Sequence, residues 1–251
     1  MDKYNEVNMT NAVPLNSVDH SELRVITERS AAYGDDVWYA LTFPLEFRSL
    51  QASYPIFFQK DARTGNFLCL ALLGFTEGEN LYLRDGRWDA SYVPLAIRRQ
   101  PFLIGRQTVF EEGREKNQRV VHIDLENPRV NSDKGEALFL QHGGNSPYLD
   151  QVADMLEAIH QGLGQNEGFI AALLAHELLE SFTLDITLDN GERNQLVGFY
   201  TINEDRLRQL DGETLAQLHS AGYLEAIFMA MASQSNVRRL MDEKNRRVAG
   251  G

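Results

Sequence analysis

The sequence predicts an α+β protein in which a mainly antiparallel β half is packed with a helical half that contains one β-hairpin. Two observations predict this class. Residues 21–145 hold short aromatic and β-branched segments separated by turn residues, as antiparallel strands do. Residues 146–245 instead carry apolar residues at helical spacing, interrupted by one alternating segment around Asn190-Gly191. For a chain of 251 residues, we expect the two halves to form one integrated domain.

The β-rich half is predicted to follow a flexible arm of residues 1–20, which is polar and shows weak periodicity. Residues 54–58 and 67–73 are predicted strands because they are dominated by aromatic, β-branched and other apolar residues. The polar, glycine-containing segment 61–65 between them predicts a turn. These segments indicate an antiparallel meander.

Three further features belong to the β-rich half. Asp85-Gly86 is a hairpin signal, and the alternating residues 120–125 predict a later strand. Between them, Pro94 and Pro101 limit any helix in residues 92–105 to a short one, because proline breaks a helix interior.

The helical half is predicted to begin at Ser146, a suitable N-cap that is followed by proline. The apolar residues after it recur at helical spacing: Leu149, Val152, Leu156, Ile159 and Leu163. We expect Gly162 and Gly164 to end this helix. A second helix, capped by Asn166, is expected from about residue 168 to residue 182.

The rest of the helical half contains the predicted hairpin at residues 182–202. Apolar and polar residues alternate before the turn dipeptide Asn190-Gly191, and a return strand is expected through residues 196–202. Asn203 and Asp211 are predicted N-caps of two short helices, each followed by an acidic residue. A last helix is expected over residues 223–244. Its apolar, methionine-containing stripe is typical of a helix that faces a core.

The charge of the chain restricts its partners. With 24 basic and 36 acidic residues the net charge is −12, which disfavours non-specific binding to nucleic acid and docking on an anionic membrane. No apolar run reaches the roughly 18 residues that a membrane span needs, and the first 17 residues lack the apolar region of a secretory signal. We therefore expect a cytoplasmic protein that is not inserted in a membrane.

The single cysteine, Cys69, lies in an apolar run and cannot form an internal disulfide. We expect a buried thiol that packs as a small hydrophobic residue and is not a nucleophile. One cysteine is consistent with a reducing compartment.

The segment 176–180 begins like the zinc-protease pattern H-E-x-x-H, with His176 and Glu180 one turn apart on the predicted helix. Two ligands are too few for a zinc site, so we expect no metal. Glu177 is predicted to face apolar residues of that helix. It is then either a hydrogen-bonded structural acid or a functional one.

The segment 88–102 is the richest in aromatic residues, prolines and arginines, a composition typical of recognition surfaces. The residues expected to bind a carboxylate or a phosphate are Trp88, Tyr92, Arg98, Arg99 and Asp124. The alternative is structural: the aromatic residues pack and the arginines pair with acids such as Asp124.

The sequence lacks the patterns of several common sites. The glycine-rich segment 162–168 has neither the spacing nor the preceding strand of a dinucleotide-binding loop. There is no P-loop pattern and no G-x-S-x-G elbow, so the His-Gly-Gly run at residue 142 has no nucleophile to serve. We therefore expect no cofactor, and no catalytic residue can be assigned.

The chain resembles proteins of the SapC family over nearly its whole length. The resemblance is carried, in order, by residues 11–25, 54–61, 71–74, 79–81, 92–102, 123–129, 185–188, 198–199 and 218–240. Two positions depart from the usual pattern: Ala12 stands where many members have histidine, and Tyr223 where tryptophan is common. If Met9 is the usual start, residues 1–8 are an extension.

The resemblance implies an accessory role near the bacterial envelope. The family is named for a locus that exports surface-layer protein, and related genes lie beside TonB-dependent receptors. This leads to a first hypothesis, a non-enzymatic accessory or binding protein with a protein partner. The alternative is an enzyme or enzyme subunit acting on a peptide or small acidic ligand, near Arg98, Arg99 and Asp124 or around Glu177. A structural surface-layer subunit is disfavoured because the sequence shows no signal.

Overall fold

A computed structural model describes residues 11–84, 86–111 and 114–250, including all side chains there except those of residues 108–111 and 114–117. The strands are β1 (Ala12–Pro14), β2 (Arg24–Val25), β3 (Tyr39–Thr42), β4 (Ile56–Lys60), β5 (Phe67–Leu72), β6 (Leu83–Arg84), β7 (Arg87–Trp88), β8 (Phe102–Glu111), β9 (Arg114–Asp124), β10 (Val130–Asn131), β11 (Glu136–Ala137), β12 (Leu179–Thr187) and β13 (Arg193–Ile202). The helices are α1 (Phe47–Leu50), α2 (Leu95–Arg98), α3 (Pro147–Ala175), α4 (Glu204–Arg208), α5 (Gly212–Ser220), α6 (Tyr223–Ser233) and α7 (Asn236–Gly250). The predicted α+β class is confirmed.

The chain divides into two compact units, and each is built from two separate segments. Unit 1 comprises Met1–Asp35 and Leu95–Gln161, and unit 2 comprises Asp36–Pro94 and Gly162–Gly251. Each unit therefore takes residues from both sides of position 145, where the sequence changes from strand-rich to helix-rich. Of the predicted arm, residues 1–10 lie outside the described residues, and β1 is a strand rather than a flexible segment.

Unit 1 contains two three-stranded sheets, ordered β1-β9-β8 and β10-β2-β11. In the first, Val13 of β1 pairs with Ile123 of β9 in an antiparallel register. The first part of α3 contributes Leu149, Val152 and Leu156 to a hydrophobic core that also contains Ile123. This core confirms the first three residues of the apolar stripe predicted after Ser146, whereas Ile159 and Leu163 are half-buried. Ser146 caps the helix by accepting a hydrogen bond from the Leu149 amide (3.1 Å).

Unit 2 contains a five-stranded antiparallel sheet in the order β12-β13-β4-β5-β3, and a two-stranded ribbon of β6 and β7. Asp61 forms the predicted turn between β4 and β5 by accepting hydrogen bonds from the amides of Arg63 and Thr64. The predicted hairpin is β12 and β13, in which Ile186 is buried while Asp185 and Thr187 are exposed. Of the turn between β6 and β7, Asp85 lies outside the described residues.

The long helix α3 corrects the prediction that glycines end a helix after Leu163. It runs through Gly162 and Gly164 without interruption. A Cβ atom on Gly162 would lie 2.1 Å from Phe43 Cδ2, so this glycine allows the helix to pack closely on an aromatic ring. Packing of this kind outweighs the helix propensity of glycine, which is only about 1 kcal/mol below that of alanine.

The ends of two other predicted helices also differ. Helix α3 stops at Ala175 rather than near residue 182, and Glu177 follows in the left-handed region with φ 57°. The helix predicted over residues 223–244 is two helices, α6 and α7, which are separated at Gln234. The Asn236 side chain there donates to the Gln51 carbonyl (2.8 Å).

The predicted caps of α4 and α5 are confirmed. Asn203 accepts a hydrogen bond from the Arg206 amide, and Asp211 accepts one from the Thr214 amide. Within the described ranges, no helix combines the length and the apolar character that a bilayer span requires.

Candidate ligand-binding site

The predicted site residues Trp88 and Tyr92 belong to a hydrogen-bonded network inside unit 2. The Trp88 indole donates to the Tyr54 hydroxyl (2.7 Å), and Tyr54 donates to the backbone carbonyl of Tyr92. The Tyr92 hydroxyl in turn donates to the buried carboxylate of Glu46 (3.0 Å). These contacts match the structural alternative considered for the two aromatic residues.

Arg98, Arg99 and Asp124 lie in unit 1, and the structure separates their roles. The Arg99 guanidinium is buried and donates to the Phe102 carbonyl (2.9 Å), and burial lowers its pKa to about 10. Asp124 is also buried and accepts a hydrogen bond from the Glu126 amide (3.2 Å). Among the described residues no ion pair joins either arginine to Asp124. Arg98 is exposed at the end of α2.

His176 and Glu180 do not lie one turn apart on a helix, contrary to the prediction. Helix α3 ends before them, and Glu180 lies on β12, opposite Thr201. Glu177 is exposed, not buried among apolar residues, and its carboxylate lies 3.5 Å from the Arg206 guanidinium. In the described part of the chain, no three His, Cys, Asp or Glu side chains are grouped closely enough to hold a metal ion.

Unit 1 contains a cavity of about 420 Å³, a volume in the range of small-molecule sites. Its wall is formed by the segment after β2, the end of α2, β11 and the first turns of α3. The lining residues are Ile26, Thr27, Arg29, Arg98, Gln100, Glu136, Pro147, Tyr148, Gln151, Val152 and Met155. Of the predicted site residues, only Arg98 lines it.

Two guanidinium groups give the cavity its positive charge. Arg29 makes two long contacts, from Nη1 to Asp35 Oδ1 and to the Ile97 carbonyl, both 3.4 Å. Arg98 has no hydrogen-bond or ion-pair partner among the described residues. Both arginines therefore keep N–H donors that a ligand could use, since a guanidinium carries five of them.

Tyr148 lies within the electrostatic influence of every charged group of the cavity. Burial of its phenol raises the pKa of Tyr148 to about 12, against the opposing effects of Arg29, Arg129 and Arg98, while Glu136 adds to the increase. The hydroxyl is therefore protonated at neutral pH and can donate a hydrogen bond.

The position of Arg29 is fixed by a buried ion pair behind the cavity wall. Arg129 Nη2 lies 2.5 Å from Asp35 Oδ2, and the same aspartate contacts Arg29. Arg129 Nη1 also donates to the carbonyls of Ile26 (2.9 Å) and Glu28 (2.6 Å). One buried arginine thus holds the backbone that carries Arg29 into the cavity.

Part of the cavity lining is apolar. Ile26, Pro147, Val152 and Met155 contribute it, and α3 carries the last three. The first turn of α3 also has backbone amides that favour a negative charge nearby. The cavity therefore combines charged donors with apolar side chains.

The family model for SapC matches residues 15–240. The chain belongs to the SapC family. No curated protein and no solved structure matches it. All residues that line the cavity lie within the part of the chain that matches the SapC model.

The sequence identified one cavity residue of this SapC protein and missed the others. Arg29, Glu136 and Tyr148 lie in three separate segments, and nothing in the local pattern of any one of them marks a site. The pair of Asp35 and Arg129 is equally hidden, because its members are 94 residues apart. The one available signal was the aromatic residues, prolines and arginines of segment 88–102, which led to Arg98.

Proposed function

We propose that this SapC protein is a binding protein that holds the carboxylate or phosphate group of a small molecule in the unit 1 cavity. The observation that carries the proposal is the pair of arginines, Arg29 and Arg98, that line one cavity of about 420 Å³ with donors unused. Guanidinium forks match the geometry of carboxylate and phosphate oxygens.

Three features support an anionic ligand over a cationic one. The arginines outnumber the single lining carboxylate, Glu136. Tyr148 is a protonated donor, and the α3 amino terminus adds a partial positive charge. The excess of positive charge is confined to the cavity, since the chain as a whole has a net charge of −12.

The protonation state of Tyr148 favours binding over acid–base catalysis. An efficient proton-transfer group has a pKa close to the working pH, whereas the pKa of Tyr148 is raised to about 12. The alternative role as an enzyme or enzyme subunit on a small acidic ligand would use the same cavity. Turnover of a bound ligand would distinguish that role from binding alone.

The role in the cell that we propose is accessory. We place the protein in the cytoplasm with a protein partner linked to surface-layer export or TonB-dependent uptake, as the resemblance to SapC proteins implies. The buried single thiol of Cys69 is consistent with a reducing compartment. Capture of a tagged protein from its native bacterial lysate tests this role: one stoichiometric partner retained at high salt is expected, and no partner at either salt concentration would overturn it.

Titration calorimetry tests the binding site. The two anions to titrate are 4-methylpentanoate and inorganic phosphate, and 4-methylpentanamide is the uncharged control. We expect at least one of the anions to bind. Arg98→Gln and Arg29→Gln should each weaken anion binding by about tenfold, the size of effect expected for one lost charged contact. Arg208→Gln, an exposed arginine of unit 2, should change nothing. Absence of binding by both anions, or equal binding by the amide, would overturn the proposal.

A further inference from the structure

The cavity carries charges of both signs that do not neutralise each other. Glu136 lies on β11 and lines the cavity together with Arg98. No ion pair within 4.0 Å joins them, and in the described chain neither side chain has another charged partner. Opposite charges that share a cavity and remain apart leave room for a ligand between them.

Tyr148 lines the same cavity as Arg29, Arg98 and Glu136. Burial raises the pKa of Tyr148, the two arginines oppose the increase and Glu136 adds to it, which agrees with charges of both signs near its hydroxyl. An anion alone would satisfy the arginines and leave Glu136 facing a second negative charge, which is unfavourable at short range.

We infer that the ligand is a zwitterion, an amino acid or short peptide whose carboxylate binds Arg29 and Arg98 and whose ammonium group binds Glu136. The inference rests on the proposed function, since it concerns the same cavity. The ammonium group of the ligand offsets the electrostatic repulsion between the ligand's carboxylate and Glu136. Each ligand charge then faces a protein charge of opposite sign.

The apolar lining selects the side chain of this ligand. Val152 and Met155 on α3 and Ile26 after β2 line the cavity with aliphatic side chains. Burial of each methylene strengthens binding by about fourfold, so an aliphatic side chain binds better than glycine. A volume of about 420 Å³ admits a leucine-sized amino acid or a dipeptide.

The test compares leucine with its two truncated analogues by titration calorimetry on the full chain. The analogues are 4-methylpentanoate, which lacks the amine, and 3-methylbutylamine, which lacks the carboxylate. Leucyl-leucine separates a peptide from a free amino acid. We expect leucine or the dipeptide to bind at least about tenfold more tightly than the acid, and the amine to bind not at all.

Glu136→Gln should reduce the ratio of leucine to acid affinity to about one, because only leucine uses that carboxylate. Asp133→Asn, an exposed acid of the same region that does not line the cavity, should keep the ratio. Equal binding of leucine, dipeptide and acid to the unmodified protein would overturn the zwitterion inference and leave the anion site standing. Binding of none of them, and no binding of phosphate, would overturn the proposed function itself.

Discussion

Arg129 and Asp35 form a buried ion pair across 94 residues of sequence, with a distance of 2.5 Å between Nη2 and Oδ2. Both side chains are at most 1% exposed. Arg129 also lies 5.3 Å from the centroid of the Tyr33 ring, and its Nε has no hydrogen-bond partner among the described residues. The pair joins the two segments of unit 1 behind the wall that carries Arg29.

Removal of one member of this pair should destabilise unit 1 strongly. Asp35→Asn leaves a buried guanidinium without its counter-charge, and we expect a loss of about 3–5 kcal/mol in unfolding free energy. The measurement is amide hydrogen exchange of β8 and β9, because both tryptophans of the chain lie in unit 2 and do not report on unit 1.

The double variant Asp35→Asn/Arg129→Met should lose less than the sum of the two single changes, because the buried Arg129 guanidinium is removed together with its counter-charge. Arg208→Gln provides the surface control: its pair with Asp205 is exposed and should contribute less than about 1 kcal/mol. Additive losses in the double variant would show that the two residues are not coupled.

Two of the three glycines of α3, Gly162 and Gly164, should respond in opposite directions to alanine. Gly164→Ala meets open space and should stabilise unit 2 by about 0.5–1 kcal/mol through helix propensity. Gly162→Ala places a methyl group against the Phe43 ring and should destabilise it by about 1–2 kcal/mol despite the same propensity gain. Urea unfolding followed by tryptophan fluorescence measures both, and stabilisation by both alanines would contradict the close contact.

The thiol of Cys69 should be unreactive in the folded protein. Cys69 is fully buried and donates to the Asn166 side chain (3.1 Å), and burial raises the pKa of the thiol well above its usual value. At pH 8 it is therefore protonated, and the thiolate is the reactive form. Reaction with Ellman's reagent should be at least about a hundredfold slower than in urea. Rapid stoichiometric labelling of the native protein would contradict this burial.

Helix α5 should weaken in acid through its N-cap. Hydrogen bonds from the Thr214 amide and side chain hold the pKa of Asp211 below its ordinary value of 3.8. Because the pKa of Asp211 is lower in the folded protein, the ionised cap contributes its full stability above the ordinary value of 3.8. That contribution is lost as the pH falls through the lower pKa of the folded state. Asp211→Asn keeps the amide acceptor and should lose less stability between pH 5 and about pH 2.5 than the unmodified chain.

Thermal unfolding at both pH values measures this difference, with Asp133→Asn as an exposed control outside any helix cap. An equal acid-induced loss in the Asp211 variant and in the unmodified protein would exclude a contribution from this carboxylate.

Local patterns predicted the elements whose causes are local. The caps at Ser146, Asn203 and Asp211 need only a side-chain oxygen and a nearby amide, and all three form as predicted. The hairpin at 182–202 follows from the alternation of residues 182–189 and the strong turn dipeptide after them.

Features that depend on distant contacts were not predictable in this way. Helix α3 passes Gly162 because Phe43, more than a hundred positions earlier, packs on it. It ends at Ala175 because Leu178 and its successors belong to the sheet, and His176 through Glu180 would fit either a helix or a strand by composition alone. The cavity could not be predicted for the same reason, because its charged residues at positions 29, 98 and 136 are far apart in the sequence.

The interleaved connectivity of the two units sets an order for folding during synthesis. The ribosome releases Met1–Asp35 and then all of Asp36–Pro94 before the second segment of unit 1 appears. The carboxylate of Asp35 has no Arg129 to pair with until residue 129 is made, and the free edge of β4 has no partner until β13 is made. Neither unit is therefore complete until late in translation, and until then the nascent chain exposes a strand edge that the finished sheet covers.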